Sequence, residues 1–411
     1  TGTVRSVSVW PDNPMGHGAE DMKYRFQWNF PIFFSPHNPN KLYTASNHLH
    51  VTTNEGESWD VISPDLTRDD PSKQKSSGGP ITQDNTSVEY YCTIFAAAES
   101  PVTPGLIWTG SDDGLIHVTR NGGKDWTDVT PKGMPEWMMI NSVEPSVFDP
   151  GTCYVAGTRY KLGDFTPYLY KTTDYGATWK KITNGIPSEH FTRVLREDPK
   201  QKGLLYAGTE TGMYISFDDG ANWKSFQMNL PIVPITDLAV RDNNLIVATQ
   251  GRSLWIIDDL SVIHQLSAAK GKENFLYKPK DTYRMGGNSR KGSLTSGTNH
   301  PAGVMTYFYV NEPKDKEIAL HYLSATNDTI QSFSTKDKKN KLEVSKGANY
   351  HTWDMRGKGA ERLPGMILWW ASTDAPQAVP GNYKVVLEVE GDTYTQPFKI
   401  VPDKNAETDV A

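Results

Sequence analysis

Four carboxylates of the chain have neighbours that suit sugar chemistry, and two of them directly precede an aromatic residue, as in Glu89–Tyr90 and Glu136–Trp137. An inverting glycosidase places one carboxylic acid and one carboxylate about 6.5–9.5 Å apart on opposite sides of the scissile bond. Tyr and Trp rings offer apolar faces on which a sugar ring can stack. The candidate catalytic residues are Glu89, Asp112, Asp113 and Glu136.

A second set of residues combines arginines, a histidine and aromatic rings, which are the groups that bind polar ligands with hydrogen bonds and stacking. The candidate ligand-binding residues are Arg25, Tyr90, Trp137, Arg159, Tyr160, His190, Arg193, Asp237 and Arg252. An alternative interpretation is that the candidate carboxylates pair with Arg25, Arg159 and Arg193 and form only a polar lining. We favour a lining or a ligand-binding site over catalysis.

A repeated eight-residue phrase indicates what must position these residues. It reads TTNEGESW at 52–59, TRNGGKDW at 119–126, TTDYGATW at 172–179 and SFDDGANW at 216–223. The phrase predicts a turn in which the Asp or Asn side chain accepts backbone N–H groups two residues on and the Gly adopts a positive φ. The Trp is expected to pack between neighbouring sheets. We therefore interpret the phrase as scaffold.

Strand patterns around the four phrases, and a fifth pattern without the phrase, predict five propeller blades between about residues 24 and 260. Their inner strands are expected in FQWNFPIFF, VEYYCTIFAAA, EWMMINSVE, HFTRVLRED and ITDLAV. In a propeller, the starts of the inner strands and the loops after the second strands meet at one mouth of the central channel. The candidate residues come from these two sets, so we expect them around one channel.

The chain opens on TGTVRSVSVW, which has the pattern of the outer strand of an earlier blade. We therefore predict that residues 1–262 are the carboxyl-terminal portion of a larger propeller, in preference to a closed five-blade ring. The expected partner is a preceding propeller segment or a partner chain. We further predict a linker at 263–300, an immunoglobulin- or fibronectin-like β-sandwich at 301–403 and a tail at 404–411.

Composition excludes several classes of function. The 411 residues carry a net charge of −6 without a basic tract, so no nucleic-acid partner is expected. No apolar run reaches the roughly 18 residues of a membrane span. The two cysteines, Cys92 and Cys153, are expected to be buried free thiols. No metal or cofactor motif is present, and the absence of a signal peptide or Met at the first residue predicts a processed product.

The repeated phrase, the stretch YKTTDYGATWKKITNGIP, the closing strand ATQGRSLWIIDDL and the following sandwich together resemble one bacterial family. Its members are sortilin-like or glycosyl-hydrolase-like propellers built from the Asp-box, or bacterial neuraminidase repeat. The resemblance covers nearly the whole chain and implies an all-β fold, a structural role for the Asp of the phrase, and a secreted, periplasmic or cell-surface location. It also implies that xyloglucan-cleaving relatives draw their two acids from separate halves of the protein. The Arg-Ile-Pro opening of sialidases is absent.

Three hypotheses for function follow. The first is a secreted or cell-surface binding protein whose central funnel recognises a peptide or a glycan. The second is a glycoside hydrolase that uses a carboxylate pair in the same funnel to cleave a polysaccharide. The third is a structural subunit of an envelope assembly that docks through the sandwich.

Overall fold

The computed structural model describes residues 4–79, 81–284 and 301–403 and forms two compact units, Thr1–Ile256 and Ile257–Ala411. Strands dominate both units. The α-helix of the described residues is α1 (Ser261–Ala269), and there are short 3-10 turns at Ala19–Asp21, Pro71–Lys73 and Tyr160–Leu162. The predicted all-β class is confirmed.

Five antiparallel sheets make up the first unit, and in each one the strands pair in chain order. The first two sheets contain β1 (Ile32–Phe34), β2 (Leu42–Ala45), β3 (Leu49–Thr52), β4 (Asp60–Val61), β5 (Ile94–Glu99), β6 (Ile107–Ser111), β7 (Ile116–Thr119) and β8 (Thr127–Asp128). The next two contain β9 (Met139–Pro145), β10 (Cys153–Arg159), β11 (Asp164–Thr172), β12 (Lys180–Lys181), β13 (Thr192–Glu197), β14 (Leu205–Thr209), β15 (Gly212–Ser216) and β16 (Lys224–Ser225). The fifth contains β17 (Ile235–Arg241), β18 (Asn244–Thr249) and β19 (Leu254–Ile257).

The five sheets are the blades of a propeller, because each one packs face to face with its neighbours in the chain. The first strands of successive sheets touch, β5 against β9, β9 against β13 and β13 against β17, while β2 contacts β5. Apolar clusters fill the spaces between the sheets and include the fully buried Tyr43, Trp108 and Tyr154. The prediction of at least five blades is confirmed, with the inner strands at the predicted stretches.

The repeated phrase forms a compact turn held by side-chain to backbone hydrogen bonds. The Thr172 hydroxyl donates to the Asp174 carboxylate at 2.8 Å and accepts the Gly176 N–H at 2.9 Å. Asp174 accepts the N–H of Thr178, four residues on, at 2.9 Å. The prediction that the Asp accepts an N–H two residues on is therefore wrong. Tyr175 and Gly176 both adopt positive φ, so the chain turns back on itself and the N–H that reaches Asp174 belongs to the residue four positions later.

The Trp of each phrase joins its own blade to the element before it through the indole N–H. The acceptor is in every case a backbone carbonyl: Trp59 donates to Val7 at 3.1 Å, Trp126 to Ile62 at 2.9 Å, Trp179 to Val129 at 2.7 Å and Trp223 to Ile182 at 2.7 Å. In the last three pairs the acceptor lies three residues after the Trp of the preceding blade. The predicted position between sheets is confirmed for Trp126, Trp179 and Trp223, whereas Trp59 lies against the amino-terminal segment.

The amino-terminal segment occupies the place that an outer strand of a preceding blade would take. Val7 accepts the Trp59 indole N–H just as Ile62 accepts that of Trp126. A Cβ added to Gly56 would come within 2.7 Å of the Val7 side chain, so this Gly is required for the close approach. Residues 4–8 nevertheless pair with no strand among the described residues.

The second unit is a β-sandwich whose two sheets share one apolar core. The three-stranded sheet has the order β20 (Asn274–Leu276), β22 (Val304–Val310) and β25 (Gly347–Trp353). The five-stranded sheet has the order β21 (Thr282–Arg284), β27 (Asp392–Pro402), β26 (Gly381–Val389), β23 (Ile318–Ser324) and β24 (Thr329–Ser334). Trp353 stacks on Tyr322 between them, with ring centroids 4.5 Å apart.

The predicted linker at 263–300 requires correction, because this segment carries most of α1 and the strands β20 and β21. Each strand has only three residues, and each is formed by pairing with a strand distant in sequence, β20 with β22 and β21 with β27. A local pattern of Lys, Gly and Ser does not reveal such pairing. The rest of the predicted linker, 285–300, and the tail at 404–411 lie outside the described residues.

The indole–carbonyl bond predicts a graded loss of stability at Trp223, which is 4% exposed. Trp223→Phe keeps an aromatic ring but leaves the Ile182 carbonyl without its donor, so it should lower the free energy of unfolding by about 1–3 kcal/mol. Trp223→Ala should cost about 3–5 kcal/mol, because it also opens a cavity. Urea unfolding followed by circular dichroism measures both. Trp369→Phe, at an 84% exposed site, is the control and should be neutral. Equal effects of the two Phe variants would contradict the role of the bond.

Candidate functional site

A cavity of about 990 Å³ lies among the five blades, where the first strands and the loops around them meet. Side chains from all five sheets line it, including Phe33 of the first, Phe95 of the second and Thr236 of the fifth. We call it the channel cavity. Six of the predicted site residues line it: Asp112, Trp137, Arg159, Tyr160, Arg193 and Asp237.

The other seven predicted residues are not part of the cavity lining: Arg25, Glu89, Tyr90, Asp113, Glu136, His190 and Arg252. Arg25 is buried and forms ion pairs with Asp65 at 2.6 Å and with Asp69 at 3.0 Å. Asp113 is also buried and accepts the Arg68 backbone N–H at 2.8 Å. These two side chains hold neighbouring loops together.

The remaining side chains outside the lining have local partners or face solvent. Glu89 accepts the Trp28 indole N–H at 3.2 Å, and a His190 ring nitrogen lies 2.7 Å from the Tyr214 hydroxyl. The Tyr90 hydroxyl donates to backbone carbonyls of the amino-terminal segment. The Glu136 and Arg252 side chains are exposed.

Asp112 is the buried carboxyl group of the cavity. It lies just after β6 and accepts both the backbone N–H and the hydroxyl of Thr93, each at 2.8 Å. Burial raises the pKa of Asp112 to about 7, with the neighbouring Asp113 charge adding to the effect and the Thr93 bonds opposing it. A carboxyl group with this pKa is partly protonated at neutral pH, so it can donate a proton as a general acid.

Two arginines of the cavity are neutralised within their own blades. Arg159 pairs with Asp164 at 2.8 Å, and Arg193 pairs with Glu210 at 2.6 Å. Their partners are thus different from the candidate carboxylates with which the alternative interpretation paired them. This pairing holds the guanidinium groups at fixed positions in the wall.

A third arginine, Arg196, was missed in the sequence. Its guanidinium pairs with Asp237 at 2.8 Å and with Glu144 at 3.5 Å, so it connects the inner strands of the last three blades. Arg193 and Arg196 are three residues apart and would face opposite sides of a regular strand. An irregularity in the β13–β14 register between Thr192 and Val194 brings both into the cavity lining. Strict alternation does not predict this.

Two aromatic groups form platforms in the cavity wall. Trp137 stacks with Tyr91 at a centroid distance of 6.3 Å, and Tyr160 stacks with Phe191 at 5.0 Å. The Arg193 guanidinium lies 5.4 Å from the Tyr160 ring. The sequence pointed to Tyr90, but its neighbour Tyr91 faces the cavity, because the chain turns through a positive φ at the following residue, Cys92.

Three further features that were considered in the sequence are metal ligands, cysteines and membrane spans. In the part of the chain that the structure describes, no group of three or more His, Cys, Asp or Glu residues is arranged to hold a metal ion. Cys92 and Cys153 are buried free thiols, as predicted. Across 4–79, 81–284 and 301–403, no helix has the length and apolar character of a membrane span.

Comparison with known proteins finds no matching family model. The chain is 31% identical over 111 residues to an oligoxyloglucan-reducing end-specific xyloglucanase of Emericella nidulans, which is 26% of this chain and 13% of that protein. It is 24% identical over 166 residues to xyloglucanase Xgh74A of Acetivibrio thermocellus, or 34% of this chain and 20% of that protein. The chain therefore spans only about an eighth to a fifth of the length of these curated relatives.

Among solved structures, the chain is similar to the GH74 xyloglucanase of Xanthomonas campestris, with 16% identity and a TM-score of 0.42 over 56% of this chain and 36% of that one. It is also similar to the Niastella koreensis GH74 enzyme, with 15% identity and a TM-score of 0.41 over the same shares. The chain is thus distantly similar to propeller glycoside hydrolases.

The raised pKa of Asp112 predicts a pH-dependent gain for Asp112→Asn. Asp112 by itself lowers the stability of the unchanged protein as pH rises from about 4 to 7, because the folded state must then ionise a buried carboxyl. The neutral amide lacks this cost, so the stability of Asp112→Asn relative to the unchanged protein should rise across the window by on the order of 3 kcal/mol. Unfolding at pH 2 to 8 measures it and covers the range in which the Asp164 control below responds.

Asp164→Asn is the control, because its effect on the free energy of unfolding should depend on pH with the opposite sign. Burial opposes ionisation of Asp164, but hydrogen bonds from Tyr168, Thr166 and Arg159 outweigh it and lower the pKa to about 2. The ionised Asp164 therefore stabilises the fold above pH 4, and this contribution disappears as pH falls through about 2. A pH-independent difference for Asp112→Asn would contradict the proton-bearing Asp112.

Proposed function

We propose that the channel cavity binds a polysaccharide and that the protein acts as a glycoside hydrolase with Asp112 as its general acid. One observation carries this proposal: a buried carboxyl with a pKa of about 7 lines the same cavity as two aromatic platforms. A proton donor that retains its proton at neutral pH is what the departing sugar oxygen needs.

The shape and chemistry of the cavity support a glycan as its ligand. Trp137 and Tyr160 present ring faces to it, and Arg159 and Arg193 supply fixed donors for sugar hydroxyl groups. Aromatic stacking combined with a few placed polar groups is how binding cavities orient their ligands. A volume of about 990 Å³ accommodates several sugar rings.

Asp237 is the second carboxylate of the proposed pair. Of the described residues, Asp112 and Asp237 are the carboxylates that line the cavity. Asp237 is the more exposed of the two, with 63% of its side chain accessible to water, and it pairs with Arg196 at 2.8 Å. We therefore assign it the role of the general base that activates water. Glu89, Asp113 and Glu136 lie outside the cavity lining and are given no catalytic role.

The comparisons favour the hydrolase over the sortilin-like binding protein. The curated relatives are named as xyloglucanases, whereas a peptide ligand and a structural role in an envelope have no such support. Because the chain spans so little of these relatives, the activity is proposed for this chain on its own cavity. Polysaccharides are too large to enter cells, so we also propose that the protein works outside the cytoplasm.

A further propeller segment is the proposed partner of the first unit. The Trp59–Val7 bond repeats the contact between successive blades, with residues 4–8 in the place of an outer strand. Strands β1 and β19 of the first and fifth sheets also expose apolar side chains, Phe34 at 63% and Leu254 at 71%. Burying such faces is favourable by about 25 cal/mol per Å². These features support a larger propeller.

Truncating a platform should weaken glycan binding. Trp137→Ala should raise the dissociation constant for a bound oligosaccharide by about 5- to 30-fold, equivalent to about 1–2 kcal/mol of lost stacking. Calorimetric titration of a panel of plant and algal oligosaccharides identifies the ligand and measures the change. Trp369→Ala, at an exposed site in the other unit, is the control and should leave binding unchanged. A cavity that takes peptides but no member of the panel would restore the binding-protein hypothesis.

Removing either carboxyl group of the proposed pair should stop turnover while the polysaccharide still binds. Asp112→Asn cannot donate the proton and Asp237→Asn cannot accept one, so each should lower turnover by at least about 100-fold. Product analysis by chromatography measures this. Glu136→Gln is the matched control and should retain activity, because its side chain is exposed outside the cavity. Full activity in both Asp variants would contradict the assignment.

The uncovered faces predict self-association of the full chain. Light scattering should give a mean mass that rises with protein concentration, because apolar faces pair when no further blade covers them. Leu254→Glu should lower that mass, whereas Ile81→Glu, at a 97% exposed site, should leave it unchanged. A discrete monomer at every concentration would contradict the missing-blade proposal.

A further inference from the structure

Two cations lie against the Trp137 platform of the channel cavity, and a third, Lys161, lines the same cavity near Asp112. Lys73 and Lys161 line the cavity, and Arg68 lies against the same indole. Lys73 follows the first blade, whereas Lys161 belongs to the loop after β10 of the third. We call Arg68, Lys73 and Lys161 the cationic rim.

Two members of the rim, Arg68 and Lys73, lie against the indole ring. The Lys73 ammonium lies 5.4 Å from the Trp137 ring centroid, and the Arg68 guanidinium carbon lies 4.9 Å from it. Arg68 is fixed there because its Nε donates to the Asp113 carbonyl at 2.8 Å. A cation close to an aromatic face is attracted by the ring quadrupole. The ring and the positive charges therefore form one surface.

The two lysines differ from the cavity arginines in keeping their charge available. Arg159, Arg193 and Arg196 each form an ion pair with a carboxylate. Lys73 and Lys161 are exposed, and among the described residues neither lies within ion-pair distance of a carboxylate. Each retains three donors on a flexible stem.

The acids nearest to the rim are engaged elsewhere. The Asp112 carboxyl interacts electrostatically with Lys161, but it is buried and accepts two hydrogen bonds from Thr93. Asp70 interacts electrostatically with Lys73, but its carboxylate caps the 3-10 turn by accepting the Ser72 N–H at 2.9 Å. The side of the cavity next to Trp137 is thus positively charged, although the chain as a whole carries −6.

We infer that the sugar stacked on Trp137 is anionic, carrying a uronate carboxylate or a sulfate ester that Lys73 and Lys161 bind. A sugar ring lying on an indole directs its equatorial substituents outward past the edge of the ring, toward the surrounding side chains. Ammonium groups make short charge-assisted hydrogen bonds to such oxygens. The inference rests on the proposed function and specifies its substrate as an acidic polysaccharide.

The test compares ligands that differ only in charge, using the full chain. Calorimetric titrations use an oligogalacturonate, its methyl ester, a sulfated galactan oligosaccharide and its desulfated form. At low salt the charged ligand of at least one pair should bind about tenfold or more tightly than its neutral form, and raising salt should reduce that advantage. Whether the oligogalacturonate or the sulfated ligand shows it identifies the group.

Variants separate the rim from the platform. Lys73→Gln and Lys161→Gln should each weaken the charged ligand about three- to tenfold and leave its neutral form unchanged. Lys180→Gln, on the exposed outer strand β12, is the matched control and should change neither. Trp137→Ala should weaken both forms.

The outcomes distinguish a failure of this inference from a failure of the proposed function. Equal affinity for charged and neutral forms, together with silent lysine variants, would overturn the inference while the proposed function stands. Binding by neither form of either pair, nor by any neutral glycan of the panel, would overturn the proposed function and the inference with it.

Discussion

The hydrogen bond from the Trp of a phrase to a carbonyl of the preceding blade, made by Trp126, Trp179 and Trp223, is the constraint on which the propeller depends. Sheets packed face to face through apolar side chains alone could slide and rotate, because hydrophobic contact is not directional. The indole N–H fixes each pair of blades at one point, as Trp223 does with Ile182 at 2.7 Å. The hydrogen bonds of Thr172 and Asp174 fix the shape of the turn directly before Trp179. They therefore help to position the Trp for its bond to the preceding blade.

Fixed blades determine where the inner strands begin, and the site consists of residues at those starts. Trp137 has a positive φ of 60°, and Cys92 one of 61°, at the points where the chain enters the third and second blades. Such conformations are costly for residues other than Gly and persist when the surrounding packing holds them. The blade contacts supply that packing, and the result is that Tyr91 and Trp137 face each other at the cavity wall.

The cavity contains two kinds of charged side chain: arginines that are paired with carboxylates, and lysines that are not. The proposed chemistry of the cavity depends on this difference. The arginines form ion pairs and serve as rigid donors, while Asp112 is kept from ionising easily by its burial. The lysines of the cationic rim keep their charge for a ligand. Together, the protonated carboxyl, the two aromatic platforms and the cationic rim support the proposal that the cavity binds an acidic glycan.

The sequence by itself determined the scaffold, because the phrase is local: its Thr, Asp, Gly and Trp lie within eight residues and impose the same turn wherever they occur. Five blades, the Trp contacts between them and the sandwich followed from such patterns. The site was predicted only in part, since Asp112 and Trp137 stand at strand ends, whereas Arg196 and Tyr91 did not fit regular alternation. The tertiary structure decided which side chains reach the cavity, through a register irregularity at Thr192–Val194 and a left-handed residue at Cys92. It also decided the partners of Arg159 and Arg193 and the strands β20 and β21, because those pairings join residues through packing that no local pattern specifies.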